Sequence, residues 1–247
     1  MKLRYKVLNT VLVIVGVAVI ALAAVLSHDS ACEPAPAATG KTGTIQAIVY
    51  RCYGSQDVLA LEEVEKTTPG PNEVLVKVHS ASVNPLDWHY MRGSPYVMRL
   101  SSGIGAPSVN RLGADFAGSI EAVGEAVTQF KPGDQVFGGR TGAFGEYVVV
   151  REKGAMALKP SGASFAQAAA VPIAGLSALQ ALRDEGKVAP GMKVLINGAS
   201  GGVGTFAVQI AKAMGAEVTG VCSERNTELV RSLGADHTID YRQADYT

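Results

Sequence analysis

The chain begins with a long apolar segment. Residues 7–28 contain no Asp, Glu, Lys or Arg, and residues 11–26 are all apolar apart from one glycine. An apolar helix of about 20 residues crosses a hydrocarbon core of roughly 30 Å. A cleaved signal peptide would carry a shorter apolar core of about 7–15 residues, and a lipoprotein signal would not place Asp29 three residues before Cys32. The pattern therefore favours a membrane anchor over residues 1–28.

A linker and a block of strand patterns follow this segment. Residues 29–44 are rich in Ala and Pro, which is typical of a linker. Within residues 45–158, β-branched runs with partial alternation of apolar and polar positions are separated by turn sequences. The runs that predict strands are 45–53, 73–83, 115–123, 134–138 and 145–150. Short strands at this spacing predict a small β-barrel or sandwich.

Residues 159–247 alternate between helix and strand patterns. A helical stretch covers 163–185 and is interrupted near Pro172. The remaining elements are predicted as a strand at 193–196, a helix from Thr205, a strand at 217–221, a helix near 225–233 and a strand at 237–240. This β-α-β-α-β order is typical of one half of a doubly wound parallel sheet. The predicted fold class is therefore α/β, with a β-rich domain in front.

Composition narrows the function classes. Lys+Arg and Asp+Glu both number 22, so the net charge is zero, whereas a nucleic-acid-binding protein has a basic excess. The three cysteines lie far apart in sequence, which excludes a disulfide framework and a four-cysteine zinc site. We expect Cys52 and Cys222 to be small apolar core residues, because nothing in the sequence indicates an activated thiolate.

The first strand-to-helix turn of the α/β region carries a glycine-rich loop. It runs from Gly198 to Gly204 as Gly-Ala-Ser-Gly-Gly-Val-Gly, so alanine replaces the first glycine of the dinucleotide fingerprint. Residues without a Cβ let the backbone approach a pyrophosphate, and the next helix offers N–H groups at its N-terminus. The predicted phosphate-binding residues are Ala199, Ser200, Gly201, Gly202, Val203 and Gly204.

The end of the second strand decides which nicotinamide cofactor fits. An acidic residue there holds the ribose 2′-hydroxyl of NADH and disfavours the 2′-phosphate of NADPH. Cys222 occupies this place, and Ser223, Arg225 and Asn226 follow it with groups that suit a phosphate. Glu224 would favour NADH if its side chain turned inward. The sequence therefore predicts NADPH as the cofactor.

Four motifs together resemble the medium-chain dehydrogenase/reductase superfamily. They are Ser-Val-Asn-Pro-Leu-Asp at 82–87, Arg-Leu-Gly-Ala-Asp-Phe-Ala-Gly at 111–118, Lys-Pro-Gly-Asp-Gln-Val-Phe-Gly at 131–138 and the loop at 198–204. The resemblance extends over residues 45–247. It implies a GroES-like β-barrel domain over 45–158, a partial NADP-binding Rossmann domain over 159–247, and an active site in the cleft between them.

The resemblance also bears on metal use. Zinc-dependent members carry a Cys at the position of Asn84 and a His-Glu pair at the positions of Ala114 and Asp115. Their second catalytic Cys falls within 172–175, where this chain has none, and a catalytic zinc needs three protein ligands. The chain is therefore similar to the zinc-free quinone oxidoreductase (zeta-crystallin-like) branch, which implies no metal. That branch reduces quinones or activated alkenes and carbonyls, such as enones and aldehydes, with NADPH.

Candidate catalytic residues follow from the same resemblance. Asn84 is expected to face the nicotinamide and the substrate, and Asp87 to orient neighbouring loops. His89 and Tyr90 are candidates to polarise a carbonyl group or to donate a proton. A homodimer is expected for the full-length form.

The resemblance implies two more cofactor contacts, Ser177 near the nicotinamide and Tyr241 near the adenosine phosphate. A complete Rossmann sheet has six strands, whereas this chain supplies three before Thr247. We therefore expect a longer protein of about 350 residues, in which further strands complete the nicotinamide pocket. The alternatives to a reductase are a non-catalytic, membrane-tethered NADPH-binding or redox-sensing protein and an enzyme of the alcohol dehydrogenase type.

Charges in front of the apolar segment predict an orientation. Lys2, Arg4 and Lys6 precede it, which places the N-terminus in the cytoplasm and the rest of the chain outside. This orientation conflicts with the use of NADPH, a cytoplasmic cofactor, so the sequence leaves the side of the membrane open. The predicted location is a bacterial inner membrane, with a single helix as the anchor.

Overall fold

The computed structural model describes residues 2–33 and 43–244. The chain divides into two compact units, Met1–Ala166 and Gln167–Thr247. Unit 1 contains the N-terminal helix and the β-rich domain, and unit 2 contains the α/β region.

The apolar segment forms one long helix, α1, over Lys2–Ser27. Its 26 residues correspond to a length of about 39 Å at 1.5 Å per residue. Within α1, Asn9–Ser27 is long and apolar enough to cross a membrane, a property that a signal sequence near an N-terminus shares. Its side chains from Asn9 to Val25 are exposed, whereas Leu26, in its last turn, is buried.

The two strands next in sequence form a hairpin. Strand β1 (Thr44–Val49) pairs antiparallel with β2 (Ala60–Glu65). The predicted strand at 45–53 ends earlier because the backbone turns after Val49, and the Tyr50 N–H donates to the Asn110 carbonyl oxygen. Strand β2 was absent from the prediction, since its sequence Ala-Leu-Glu-Glu-Val-Glu is mostly exposed and lacks an apolar face.

The core of unit 1 is a five-stranded antiparallel sheet in the order β6-β3-β4-β5-β7. Its strands are β3 (Glu73–Ser82), β4 (Asp115–Val123), β5 (Gln135–Gly139), β6 (Tyr147–Arg151) and β7 (Met156–Leu158). Fully or nearly fully buried valines, Phe116 and Ile120 fill the space on its inner face. The predicted strands at 73–83, 115–123, 134–138 and 145–150 are confirmed to within a few residues.

Short helices connect β3 to β4. They are α2 (Pro85–Arg92), a 3₁₀ turn at Tyr96–Met98 and α3 (Arg99–Ser102). The helix α2 begins directly after Asn84, whose extended backbone and following proline are typical of a helix start. It ends at Gly93, which adopts the left-handed conformation.

The structure corrects the interpretation of Cys52 as a small apolar core residue. Cys52 forms a disulfide bond with Cys32, with a Cα–Cα distance of 4.8 Å, which lies within the range of protein disulfides. The bond links the segment that follows α1 to the β-rich domain of unit 1, so part of the predicted linker, residues 29–33, lies against that domain. The remaining linker residues 34–42 lie outside the described residues. Cys222 is the free cysteine of the described chain and is buried, as predicted.

Unit 2 contains a parallel sheet of three strands in the order β10-β9-β8. The strands are β8 (Lys193–Asn197), β9 (Glu217–Cys222) and β10 (His237–Asp240). The helices of the α/β region are α4 (Phe165–Ala169), α5 (Pro172–Gln180), α6 (Gly202–Ala213) and α7 (Thr227–Ser232). A π-helical turn at Ala181–Glu185 follows α5. The predicted β-α-β-α-β order is confirmed. The helical stretch at 163–185 is interrupted just before Pro172, as its sequence indicates.

Small and β-branched residues close the core of unit 2. Val208, Ala211, Val218 and Val230 are fully or almost fully buried between α6, α7 and the sheet. In the described chain, β8 pairs only with β9, and Leu195 on β8 is 50% exposed. In a complete doubly wound sheet the strand that corresponds to β8 lies at the centre. Within the described residues, β8 has one unpaired edge.

Candidate nucleotide-binding and catalytic residues

The glycine-rich loop links β8 to α6 through a tight turn. Gly198 adopts the left-handed conformation with φ of +71°, and the Gly201 N–H donates to the Gly198 carbonyl oxygen at 2.9 Å. Helix α6 begins at Gly202, three residues earlier than predicted, because the glycines themselves form its first turn. The first N–H groups of a helix have no partner within the helix, which is why helix N-termini suit anions.

Close packing explains two residues of the loop. A Cβ on Gly204 would lie 2.2 Å from the Gly198 carbonyl oxygen, so only glycine fits there without a shift of backbone. Ala199, which replaces the first glycine of the fingerprint, is fully buried, and its N–H donates to the Val221 carbonyl oxygen on β9 at 2.9 Å. Gly198 supplies the left-handed position instead, so the substitution leaves the turn intact.

Three predicted cofactor residues meet beside the loop. The side-chain amide of Asn226 donates hydrogen bonds of 3.1 Å to the hydroxyl oxygens of Ser200 and Ser223. Ser200 belongs to the glycine-rich loop, whereas Ser223 and Asn226 follow β9. These hydrogen bonds therefore join the glycine-rich loop to the residues after β9. Ser200 and Asn226, which form one of them, are 26 residues apart in the sequence.

The residues predicted to decide between NADPH and NADH lie at the end of β9. Cys222 is 2% exposed and Ser223 is 7% exposed. Glu224 and Arg225 lie in a 3₁₀ turn, and both side chains are exposed. The buried residue at the strand end is therefore a cysteine, whereas the carboxylate of Glu224 and the guanidinium of Arg225 both lie at the surface.

The two cofactor residues expected from the resemblance are both accessible. Tyr241 follows β10, is 49% exposed, and its N–H donates to the Cys222 carbonyl oxygen at 3.3 Å. It therefore lies next to the end of β9. Ser177 lies on α5 with an exposed side chain.

In unit 1, Asp87 holds two loops. Its side chain is 6% exposed, and its two oxygens accept the N–H groups of Asn84 at 2.8 Å and Gly113 at 3.1 Å. Burial raises the pKa of Asp87, although the N–H donors act in the opposite direction. The carboxyl group thus fixes the start of α2 to the loop before β4.

The side chain of Asn84 contacts two residues that sequence reasoning missed as site residues. Its amide nitrogen donates to Asp115 Oδ2 at 3.1 Å and to Ser82 Oγ at 3.3 Å. Ser82 also donates to Asp115 Oδ2 at 3.2 Å, and Asp115 is fully buried. Both residues lie within motifs that carried the family resemblance, so the motifs contained the signal, but only the sheet pairing of β3 with β4 brings the three side chains together.

His89 and Tyr90 occupy different environments on α2. The Nδ1 atom of His89 lies 2.6 Å from the Ser94 carbonyl oxygen, which can only accept, so Nδ1 carries the proton. The other nitrogen, Nε2, then donates a proton only when the ring is charged. Tyr90 lines a cavity of about 120 Å³ together with Tyr50 and Ser102. Burial raises the pKa of Tyr50, so its hydroxyl stays protonated.

The described residues contain no group of three or more His, Cys, Asp or Glu side chains that could hold a metal ion. Asn84 and Asp115 occupy two of the positions where zinc-dependent members carry ligands. Here the two side chains form a hydrogen bond with each other.

Two family profiles match the chain. The alcohol dehydrogenase GroES-like domain matches residues 70–160, and the zinc-binding dehydrogenase domain matches residues 202–247. The first covers the five-stranded sheet of unit 1, and the second begins at the first residue of α6.

Curated relatives and solved structures agree with these matches. A zinc-type alcohol dehydrogenase-like protein of Schizosaccharomyces pombe is 42% identical over 214 residues, which are 81% of this chain and 60% of the relative. A trans-enoyl reductase of Aspergillus terreus is 42% identical over 186 residues, covering 71% of this chain and 51% of the relative. The quinone oxidoreductase of Escherichia coli, crystallised with NADPH, is 29% identical with a TM-score of 0.70, covering 81% of this chain and 60% of that structure.

The chain thus spans between half and two thirds of the length of these relatives. The first matched region lies within unit 1 and the second within unit 2, and the motifs at 82–87, 111–118, 131–138 and 198–204 fall within these regions or at their edge. The chain belongs to the medium-chain dehydrogenase/reductase superfamily, with a GroES-like domain and a Rossmann-like domain.

Proposed function

We propose that the protein is an NADPH-dependent oxidoreductase that reduces a quinone or an activated alkene or carbonyl compound. The observation that carries this proposal is the joined site in unit 2, where Asn226 bonds Ser200 of the phosphate loop and Ser223 beyond β9. The names of the relatives, a trans-enoyl reductase and a quinone oxidoreductase crystallised with NADPH, support the same class of reaction.

The residues present fit a dinucleotide phosphate. A Cβ at Gly204 would clash with backbone, and one at Gly202 would meet nothing, so the loop combines tight packing on one side with open space on the other. The N-terminus of α6 offers a partial positive charge for the pyrophosphate. Ser223 and Arg225 would bind the 2′-phosphate that distinguishes NADPH from NADH. When bound, the cofactor supplies the hydride.

Groups of unit 1 would polarise the substrate. We assign this role to the Tyr90 hydroxyl or to Nε2 of His89, because both belong to α2, whose start is fixed by Asp87. His89 can donate from Nε2 only as the charged ring, since Nδ1 is already bonded to the Ser94 carbonyl oxygen. Asn84 positions α2 through its hydrogen bond to Asp115.

The proposed reaction does not use zinc. A carboxamide is a poor ligand for zinc compared with thiolate and imidazole, and the Asn84 amide already donates to the Asp115 carboxylate. Leu86 stands where zinc-dependent members carry a hydroxyl relay. Activity that survives treatment with a strong zinc chelator would agree with this assignment, whereas loss of activity and its restoration by zinc would contradict it.

The test is NADPH oxidation by the purified protein with a quinone, an enone and an aldehyde as separate acceptors. We expect acceptor-dependent loss of NADPH absorbance and a drop in kcat of about 10²-fold for Tyr90→Phe, the magnitude of a missing proton donor. The matched control is Tyr50→Phe, which removes a buried hydroxyl from the same cavity. If both variants keep the wild-type kcat, Tyr90 is not the donor, and His89→Gln becomes the decisive variant.

We also propose that α1 anchors the protein in a membrane. The support is the apolar stretch Asn9–Ser27, whose side chains are exposed from Asn9 to Val25. A signal peptide is the competing interpretation of the same stretch. Mass spectrometry of the mature protein distinguishes them, since an anchor keeps residues 1–28 and a signal peptide is removed.

The alternative is a non-catalytic NADPH-binding or redox-sensing protein, and one observation favours its redox-sensing form. The Cys32–Cys52 disulfide is typical of an oxidising compartment, and Lys2, Arg4 and Lys6 favour the same side of the membrane for the globular units. Saturable NADPH binding without oxidation in the presence of every acceptor would establish this alternative and exclude the reductase.

A further inference from the structure

A buried arginine attaches the end of α1 to the β domain. Arg99 is 1% exposed, and its guanidinium carbon lies 4.4 Å from the ring centroid of Tyr53 and 4.7 Å from that of Tyr96. Its Nη1 donates hydrogen bonds of 3.0 Å to the carbonyl oxygens of both Leu26 and His28. Because these carbonyls lie in the last turn of α1 and just beyond it, the arginine also balances the negative end of the helix dipole.

Further contacts fix the same junction. Asp29 forms an ion pair with Arg99 Nη2 at 2.8 Å and a β-bridge with Gly105. The Cys32–Cys52 disulfide follows three residues later. The end of α1 and the residues that follow it are therefore attached to the β domain at Arg99, Gly105 and Cys52.

The segment that holds α1 exposes large apolar side chains. Val97 is 61% exposed, Leu100 is 60% exposed and Ile104 is 54% exposed. Val97 and Leu100 are three residues apart in consecutive helical turns, so they lie on one face. A cluster of exposed apolar side chains in one segment marks an interaction surface.

The position of this surface identifies its partner. The apolar stretch of α1 ends at Ser27, so a bilayer that contains it has its boundary near Leu26 and His28. Arg99, within the segment 96–105, donates hydrogen bonds to the carbonyl oxygens of these two residues. We propose that this segment docks on the lipid bilayer, with Val97, Leu100 and Ile104 inserted into the boundary between headgroups and acyl chains; the proposal rests on the proposed anchoring by α1.

The side chains around the segment suit a membrane interface. A cavity of about 310 Å³ next to it is lined by Asp29, Trp88, Arg92 and Tyr96, among others. Trp and Tyr are enriched where headgroups meet acyl chains. The exposed Arg92 guanidinium lies 5.0 Å from the Trp88 ring centroid and offers a positive charge to lipid phosphates.

The single tryptophan makes the proposal testable in the whole protein. Trp88 is the only Trp of the chain and lines the same cavity as Asp29. The purified protein is reconstituted into phosphatidylcholine vesicles whose acyl chains carry bromine either near the headgroup or near the methyl end. We expect the shallow bromines to quench Trp88 roughly two-fold more than the deep ones, since interfacial groups lie about 5–10 Å into the boundary.

Flotation of the same vesicles separates the two proposals. Protein that floats and is quenched supports docking, and protein that floats without quenching overturns docking while the anchor stands. Protein that does not float overturns the anchor and docking with it. A patch covered by a second copy or by further chain would give the unquenched result.

Substitutions test whether the exposed apolar side chains of the segment 96–105 make the contact with the bilayer. The triple variant Val97→Asp, Leu100→Asp and Ile104→Asp should float but lose the quenching, because its charges exclude the segment from the boundary. The matched control Leu61→Asp changes another exposed leucine, 67% accessible on β2, and should keep it. Quenching that persists in the triple variant would contradict the proposal. The comparison of shallow and deep bromines in the wild-type protein tests docking even if the triple variant does not fold.

Discussion

The glycine-rich loop makes a sharp prediction about two glycines in one helical turn. Gly204→Ala places a Cβ 2.2 Å from the Gly198 carbonyl oxygen and 2.8 Å from the Ala199 Cα. Real Cβ contacts essentially never fall below 3.0 Å, and both neighbours are backbone that cannot rotate away. The start of α6 must therefore move from the loop by about 0.8 Å, and overpacking of this kind costs about 1–3 kcal/mol.

Gly202→Ala is the matched control. It lies two residues earlier in the same turn, and a Cβ there would meet nothing within 4 Å. Alanine in a helix is favoured over glycine by about 0.5–1 kcal/mol. The same gain offsets part of the clash at Gly204, so the net loss for Gly204→Ala lies between about 0 and 2.5 kcal/mol, and we expect a value near the middle of this range, about 1.3 kcal/mol.

The assay is hydrogen exchange of peptides from β8, β9 and α6, measured by mass spectrometry without cofactor. A loss of 1.4 kcal/mol increases the local opening equilibrium about ten-fold, so these peptides should exchange about ten times faster in Gly204→Ala. In Gly202→Ala they should exchange at the wild-type rate or more slowly. Equal exchange in the two variants, or faster exchange in Gly202→Ala, would refute the packing argument.

Three further predictions test the electrostatics, the cofactor and the cysteines. The hydrogen bond from Lys212, and to a smaller extent that from the Val218 N–H, lowers the pKa of Asp236 below its ordinary value of 3.8. The stabilisation by the ionised carboxylate is therefore present above about pH 3.8 and is lost as the pH falls below it. Asp236→Asn should flatten the acid dependence of the thermal midpoint. Arg225→Ala should weaken NADPH binding by roughly ten-fold and leave NADH binding unchanged; equal effects would contradict the 2′-phosphate assignment. Peptide mapping without reductant should recover Cys32 linked to Cys52, and recovery of both as free thiols would contradict that pairing.

Much of the fold could be predicted because its signals are local. The valine-rich runs of β3 and β6 and the strand-turn-helix order around Gly198 each lie within a short stretch of sequence. Strand β2 was missed because its exposed, glutamate-rich sequence has no buried face, and its pairing with β1 alone makes it a strand.

The parts of the site that could not be predicted depend on distant contacts. The Asn84–Asp115 hydrogen bond joins residues 31 apart, and the Cys32–Cys52 bond joins residues 20 apart across a proline-rich stretch. Composition and periodicity carry no information about such pairs. Arg99 shows the same limit, since nothing in its local sequence indicates a buried residue that holds the end of α1.

The central claim is that the loop from Gly198 to Gly204 binds the phosphates of NADPH. Its most direct test is a titration of the purified protein with NADPH, followed by hydrogen exchange of every peptide. We expect saturable protection of the loop and of residues 223–226, with weaker binding of NADH. Saturating NADPH that leaves both stretches exchanging at the free rate would contradict it.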